Sequence, residues 1–146
     1  MIKITYPSYS YKIKEVDGKE VIFDAQRKSW VRLTPEEWVR QNFLQYLLQV
    51  MNYPGSLIAV EKELRLGELK KRFDILVYDA AHLPWMMIEC KAMNVPLNDE
   101  VLHQLLRYHI AVPVPYLVVT NGSYCAAFKK AGGQLVALET LPPPAF

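Results

Sequence analysis

Two apolar runs near the middle of the chain carry charges where a buried strand should have none. Arg72-Phe73-Asp74-Ile75-Leu76-Val77-Tyr78 holds one carboxylate, and Trp85-Met86-Met87-Ile88-Glu89-Cys90-Lys91 ends in a carboxylate and an ammonium two residues apart. Side chains two apart on a strand share a face, so Glu89 and Lys91 point the same way. Burying Asp74, Glu89 and Lys91 in a hydrophobic sheet is costly unless the groups pair or bind something. A hard divalent cation together with a phosphodiester would use all three. The structural alternative is an ordinary Asp–Lys or Glu–Lys pair on a half-exposed strand.

The rest of the chain sets the frame for that feature. Its 146 residues are 51% apolar and 12% aromatic, enough for one domain with a real core and too apolar for disorder. Seventeen basic against fifteen acidic residues leave a net charge of +2, so nucleic acid is not held by bulk charge and any footprint is local. Cys90 and Cys125 lie in apolar runs with no C-x-x-C pair, which reads as two buried thiols rather than a zinc site. No signal-like or membrane-length apolar run is present, so the expected place is the cytoplasm, with no membrane partner.

Turn and capping residues divide the chain. Asp17-Gly18 between Tyr9–Val16 and Glu20–Phe23 predicts a hairpin, with Trp30–Leu33 as a short added strand. Thr34-Pro35-Glu36-Glu37 predicts a helix start, Thr34 capping and Glu37 closing a capping box. That helix should run to about Met51, with Trp38, Phe43, Leu44, Leu47, Leu48, Val50 and Met51 apolar. Leu57–Leu66 predicts a strand with Glu61 and Glu63 on a solvent face, and Gly67-Glu68 a turn. Lys70, Lys71 and Arg72 form a basic patch before the Asp74 strand. Asp79–Pro84 turns into an antiparallel neighbour, Trp85–Lys91. Asn98 or Asp99 caps a second helix to about Ile110, with Val101, Leu102, Leu105 and Leu106 apolar. Tyr116–Thr120 then adds a strand beside the Glu89 strand through that helix, and a hairpin around Gly132-Gly133 closes the fold.

Asp74 and Glu89 are the candidate ligands for Mg²⁺, with Mn²⁺ an alternative, and the backbone carbonyl of Cys90 is a further donor. Lys91 is placed to hold a water or offset charge on a pentavalent phosphate. Glu37, or its neighbour Glu36, could reach the metal through water, and Gln41 shares the Glu37 face. Glu61 or Glu63 could serve a distant second metal. Gln104 and Tyr108, four apart on the second helix, could orient water or touch phosphate. Lys70, Lys71, Arg72, Arg107 and Tyr108 are the candidate backbone contacts to nucleic acid, with His103 a further one. His82, His103 and His109 have no partner at ligand spacing and are read as non-ligands.

Asp74 followed by Glu89-Cys90-Lys91 resembles the core motif of the PD-(D/E)XK nuclease superfamily. Leu33–Gln41, Arg72–Ile75, Ile88–Ala92, Gln104–Tyr108 and Leu117–Gly122 more narrowly resemble the N-terminal domain of type I restriction enzyme R proteins. The one local departure is Phe73, which stands where the superfamily's name has proline. The resemblance implies a restriction-endonuclease-like α+β fold, an α-β-β-β-α-β mixed sheet flanked by helices, preceded here by the hairpin. It divides the chain into an extension, 1–33, a core, 34–141, and a tail, 142–146. It carries Asp74 and Glu89 over as metal ligands, Lys91 as the catalytic lysine, Glu37 as an auxiliary ligand and Gln104 as a motif residue. The expected activity is Mg²⁺-dependent hydrolysis of DNA phosphodiesters, in restriction or repair, leaving a 5′-phosphate. This chain carries no motor or target-recognition segment, so a homodimer or separate motor and specificity proteins are the expected partners. Two other readings use the same residues: a nucleic-acid-binding protein without catalysis, and an accessory protein docking through its hairpin, with Trp30 and Trp85 on an exposed apolar patch.

Overall fold

The chain is described from a computed structural model that covers residues 1–144, apart from the side chain of Leu66. Ala145 and Phe146, the end of the expected tail, lie outside the described residues. The strands are β1 (Ile2–Lys3), β2 (Ile13–Val16), β3 (Lys19–Asp24), β4 (Ser29–Arg32), β5 (Ile58–Leu66), β6 (Leu69–Tyr78), β7 (Pro84–Cys90), β8 (Tyr116–Thr120), β9 (Tyr124–Ala131) and β10 (Gln134–Leu138). The helices are α1 (Pro35–Gln45) and α2 (Asp99–His109).

From Pro35 to Thr120 the order is α-β-β-β-α-β, as expected. The main sheet runs β9-β8-β7-β6-β5, with β1 and β10 both paired to β9. Only β7 and β8 are parallel, joined through α2 as a crossover, and the other neighbours are antiparallel. A separate sheet, β2-β3-β4, forms from the N-terminal hairpin and the short strand after it. Its first turn places Asp17 at φ 52° and Gly18 at φ 76°, the two left-handed residues that a tight hairpin turn requires. The strand β1 escapes any sequence reading, because two residues are too few to show an alternation.

The pleat sorts the core into two layers. Ile75, Val77, Met86, Ile88, Cys90 and Val118 pack toward α1, against Val39, Phe43, Leu44 and Leu47. Leu76, Met87 and Leu117 face the other way, with Phe73, Val112, Val114 and the α2 residue Leu106. Glu89 therefore shares the α2 side with Met87, and Cys90 the α1 side, as alternation demands.

Several boundaries move. α1 stops at Gln45 and widens into a π-helical turn at Tyr46–Val50. Val39 joins the core because it lies one regular turn before Phe43, and Val50, inside the widened turn, is exposed. Leu57 belongs to a short 3₁₀ turn, and Lys70–Arg72 lie inside β6 rather than before it. Lys91 falls just past β7, its N–H donating to the Thr120 carbonyl at 2.7 Å. The capping box is half-made: Thr34 Oγ1 accepts from the Glu37 N–H at 3.0 Å, but the Glu37 carboxylate turns to other partners. Cys90 and Cys125 are buried free thiols. Trp85 is buried and only Trp30 of the two is exposed, so the apolar patch required of the hairpin-docking reading is not formed by that pair. No helix among the described residues is long and apolar enough to cross a membrane.

Gly122, just past β8, has φ +94°, and a Cβ there would lie 3.2 Å from Val39 Cγ2 and 3.3 Å from Met93 Cγ. Gly122→Ala is expected to cost about 1–2 kcal/mol through the left-handed backbone alone, read as a lowered urea midpoint with an unchanged slope.

Candidate metal and phosphodiester site

β6 and β7 separate where the charges sit. Their last register pairs on this side are Leu76 with Met87 and Ile75 with Ile88, which makes Asp74 and Glu89 the next opposed residues. The Cys90 N–H, beyond the last pair, donates to Asp74 Oδ2 at 2.8 Å, so a side chain takes over where the ladder ends. Burial first, then the Glu89 carboxylate, push the Asp74 carboxyl up to about 7, against the opposing pull of the Cys90 N–H and Arg40. Two carboxyls this close in a poorly solvated corner resist double ionisation. A hard cation with oxygen preference would relieve that repulsion, and the donor set fits Mg²⁺ or Mn²⁺. Lys91 is half-buried at the end of the same strand and makes no ion pair among the described residues.

Behind Asp74 lies a buried ionic cluster. Arg40 of α1 grips Glu37 with two donors, Nε to Oε2 at 3.2 Å and Nη2 to Oε1 at 3.1 Å. Arg27, from the β3–β4 turn, donates to the same Oε1 at 2.8 Å and also binds Asp24. Gln41 completes the shell of Glu37 at 3.0 Å. The remaining edge of Arg40 faces Asp74, Nη1 to Oδ1 at 3.6 Å, and Nη1 is buried with no hydrogen bond. Glu61 reaches in from β5, 3.3 Å from Arg40 and 3.5 Å from Arg27, and accepts from Arg72 at 3.0 Å. Its backbone is left-handed, φ 52°, an uncommon state for a non-glycine residue in a strand. Burial raises the Glu61 carboxyl, but Arg40, Arg27 and Arg72 outweigh it and hold the group below its usual range.

Several expected roles change. Glu37 is buried and fully engaged by Arg27, Arg40 and Gln41, so it supports Asp74 through Arg40, while Glu36 is exposed. Glu61 is a partly exposed member of the network rather than a purely solvent-facing residue. Lys71 is buried, its amine donating to the Tyr108 carbonyl and sitting 3.3 Å from that ring's centre, so it offers no phosphate contact. Lys70 and Arg72 are exposed, Lys70 lying 3.6 Å from Glu63. Gln104, Arg107 and Tyr108 are exposed on α2, and the Gln104 side chain makes no hydrogen bond among the described residues.

His109 was the residue that spacing missed. It is the buried residue of α2, its Nε2 3.4 Å from Glu89 Oε1, its ring beside Phe73 and its Nδ1 without a hydrogen bond. Twenty positions separate it from Glu89, and only the β7–α2–β8 crossover brings them together. The available signal was its place in the last turn of a helix otherwise flanked by Leu105 and Leu106.

A family model for the type I restriction enzyme R protein N terminus (HSDR_N) matches residues 35–142. This chain belongs to that family. Its core is accordingly a restriction-endonuclease-like fold, with the Asp74–Glu89 corner where β6 and β7 part. No curated protein matches the chain.

A carboxyl whose folded value is raised from 3.8 to about 7 carries an extra proton in the folded state between those values. Its contribution to stability is full below the lower value and is lost as pH rises through the upper one. In divalent-free buffer, urea midpoints at acidic and neutral pH should show that loss in the native chain and a smaller one in Asp74→Asn. Glu37→Gln, also without metal, should cost about 3–5 kcal/mol by leaving the buried Arg40 guanidinium poorly compensated and removing one partner of the half-buried Arg27; a calorimetric melt measures it.

Proposed function

We propose that this chain engages the phosphodiester backbone of DNA and hydrolyses it with a divalent cation, Mg²⁺ or Mn²⁺, held by Asp74 and Glu89 with the Cys90 carbonyl as a further donor. The observation that carries this reading is the strand register, which opposes Asp74 and Glu89 where β6 and β7 part, with the Cys90 N–H turned to Asp74 and Lys91 without an ion pair among the described residues just past β7. Bound there, the cation would supply Lewis acidity to the phosphate and acidify a water. The chain's own part is to hold that corner rigid. The Cys90 N–H fixes one Asp74 oxygen, and His109 Nε2 stands against Glu89. Lys91 orients the attacking water and offsets charge on the pentavalent phosphate. Lys70, Arg72, Arg107 and Tyr108 lie at the surface as candidate backbone contacts, and their small number fits a net charge of +2. Gln104 is exposed on α2 and is a further candidate contact.

A second reading keeps the fold and the nucleic acid but omits hydrolysis, as a binding or accessory protein. Its support is that no three His, Cys, Asp or Glu groups converge as metal ligands among the described residues, and that Arg40, not a third acid, stands over Asp74. On ligand count the described residues favour this second reading; the intact Asp74, Glu89 and Lys91 favour the first. In either case we place the chain in a restriction-related system in the cytoplasm, with motor and specificity functions on partner proteins or a second copy. We treat residues 1–33 as an extension docked on the core of 34–141.

Cleavage of plasmid and of single-stranded and duplex oligonucleotides in Mg²⁺ or Mn²⁺ separates the two. Hydrolysis that is lost by about 10²-fold or more in Lys91→Ala and in Asp74→Ala supports the nuclease. Salt-dependent binding by the native chain with no cleavage in either metal supports the binding protein.

A further inference from the structure

Three acids from three elements surround the Arg40 guanidinium: Glu37 of α1 through two hydrogen bonds, Glu61 of β5 at 3.3 Å, and Asp74 of β6 at 3.6 Å. The side chain is 9% exposed, and Nη1, aimed at Asp74, has no hydrogen-bond partner. Glu61 adopts its left-handed backbone while sending its carboxylate into this group. Converging oxygens, a strained backbone serving them and a buried donor left incompletely used describe a cation position whose occupant is not a perfect fit. Three carboxylates, one buried and two partly so, converging on one point demand positive charge, and a guanidinium supplies one unit where a divalent ion would supply two.

We propose that Arg40 is a built-in cation filling a second cation position beside the Asp74–Glu89 corner, so that the chain takes one divalent ion rather than two. In this role Arg40 is a positioning residue. It shares Asp74 with the first position, and its anchoring by Glu37 prevents it from swinging away. Removing the guanidinium leaves Glu37, Glu61 and Asp74 as oxygen donors free to close on a metal. Glu61, considered from sequence as a distant second-metal ligand, is then one of three acids already in place around that position. The count of one ion rather than two rests on the cation reading of the Asp74–Glu89 corner; the Arg40 assignment itself does not.

Mn²⁺ binding, followed by electron paramagnetic resonance of the free ion and by calorimetry, tests it in the full chain without DNA or turnover. The native chain is expected to bind one Mn²⁺. Arg40→Ala and the longer neutral variant Arg40→Gln are each expected to bind one more than the native chain, and Glu61→Gln added to either should remove the extra ion. Mn²⁺ should also raise the melting temperature of the Arg40 variants by more than that of the native chain. If the native chain binds none while Arg40→Ala binds one, the Asp74–Glu89 reading fails and the Arg40 assignment stands. Folded Arg40 variants with the native stoichiometry would overturn the assignment. So would two Mn²⁺ in the native chain, or Arg40 variants that stay unfolded in millimolar Mn²⁺, since a metal would then not replace the guanidinium.

Discussion

Two carboxylates placed side by side at a gap in a hydrophobic sheet need positive charge, and the structure around that gap is arranged by this need. Asp74 and Glu89 meet because β6 and β7 stop pairing one step earlier, and the Cys90 N–H turns to a side chain instead of a neighbouring strand. Arg40 approaches from the α1 side and His109 from the α2 side. Each layer of the molecule thus contributes one nitrogen group to the same point. Lys91, half-buried just past β7, takes no part in this balance and makes no ion pair among the described residues.

The ionic cluster ties distant parts of the chain to that corner. Asp24 and Arg27 belong to the N-terminal sheet, Glu37 and Arg40 to the first helix, and Glu61, Arg72 and Asp74 to the central strands. Buried ion pairs contribute little net stability compared with apolar packing, but losing one partner is expensive. Such a cluster therefore specifies one arrangement more than it strengthens it. The N-terminal sheet is held on the core by Arg27 through the same carboxylate, Glu37, that orients Arg40. Gln26 adds two amide contacts to the Gly55 and Ile58 carbonyls at the start of β5. Those contacts seat the extension at the foot of the strand that carries Glu61.

Much of the architecture was legible because local rules act over few residues. Thr34 and Asn98 announce the two helices, and their side-chain oxygens do accept the helix N–H groups. Asp17-Gly18 and Gly132-Gly133 mark hairpins that form. Alternation in Trp85–Lys91 correctly assigns Met87 and Glu89 to one face. The misread side chains turn on a partner that their own local pattern does not announce. Glu37 satisfies a capping pattern, yet its carboxylate leaves the cap because two guanidinium groups attract it more strongly than one backbone N–H. Lys71 counts as basic in a patch, yet its stem packs inside and its ammonium finds a carbonyl and a ring on α2.

Order along the chain determined most of the elements, the family motif and the face on which Glu89 stands, since strand pleat and helix capping depend on neighbours within four or five positions. Only the tertiary structure decided which charges meet. His109 comes to Glu89, and Arg40 comes to Glu61 and Asp74, because helices on opposite sides of one sheet place side chains at one gap. Electrostatic partners are chosen by distance through space in a poorly screened interior, and that distance is set by packing rather than by position along the chain.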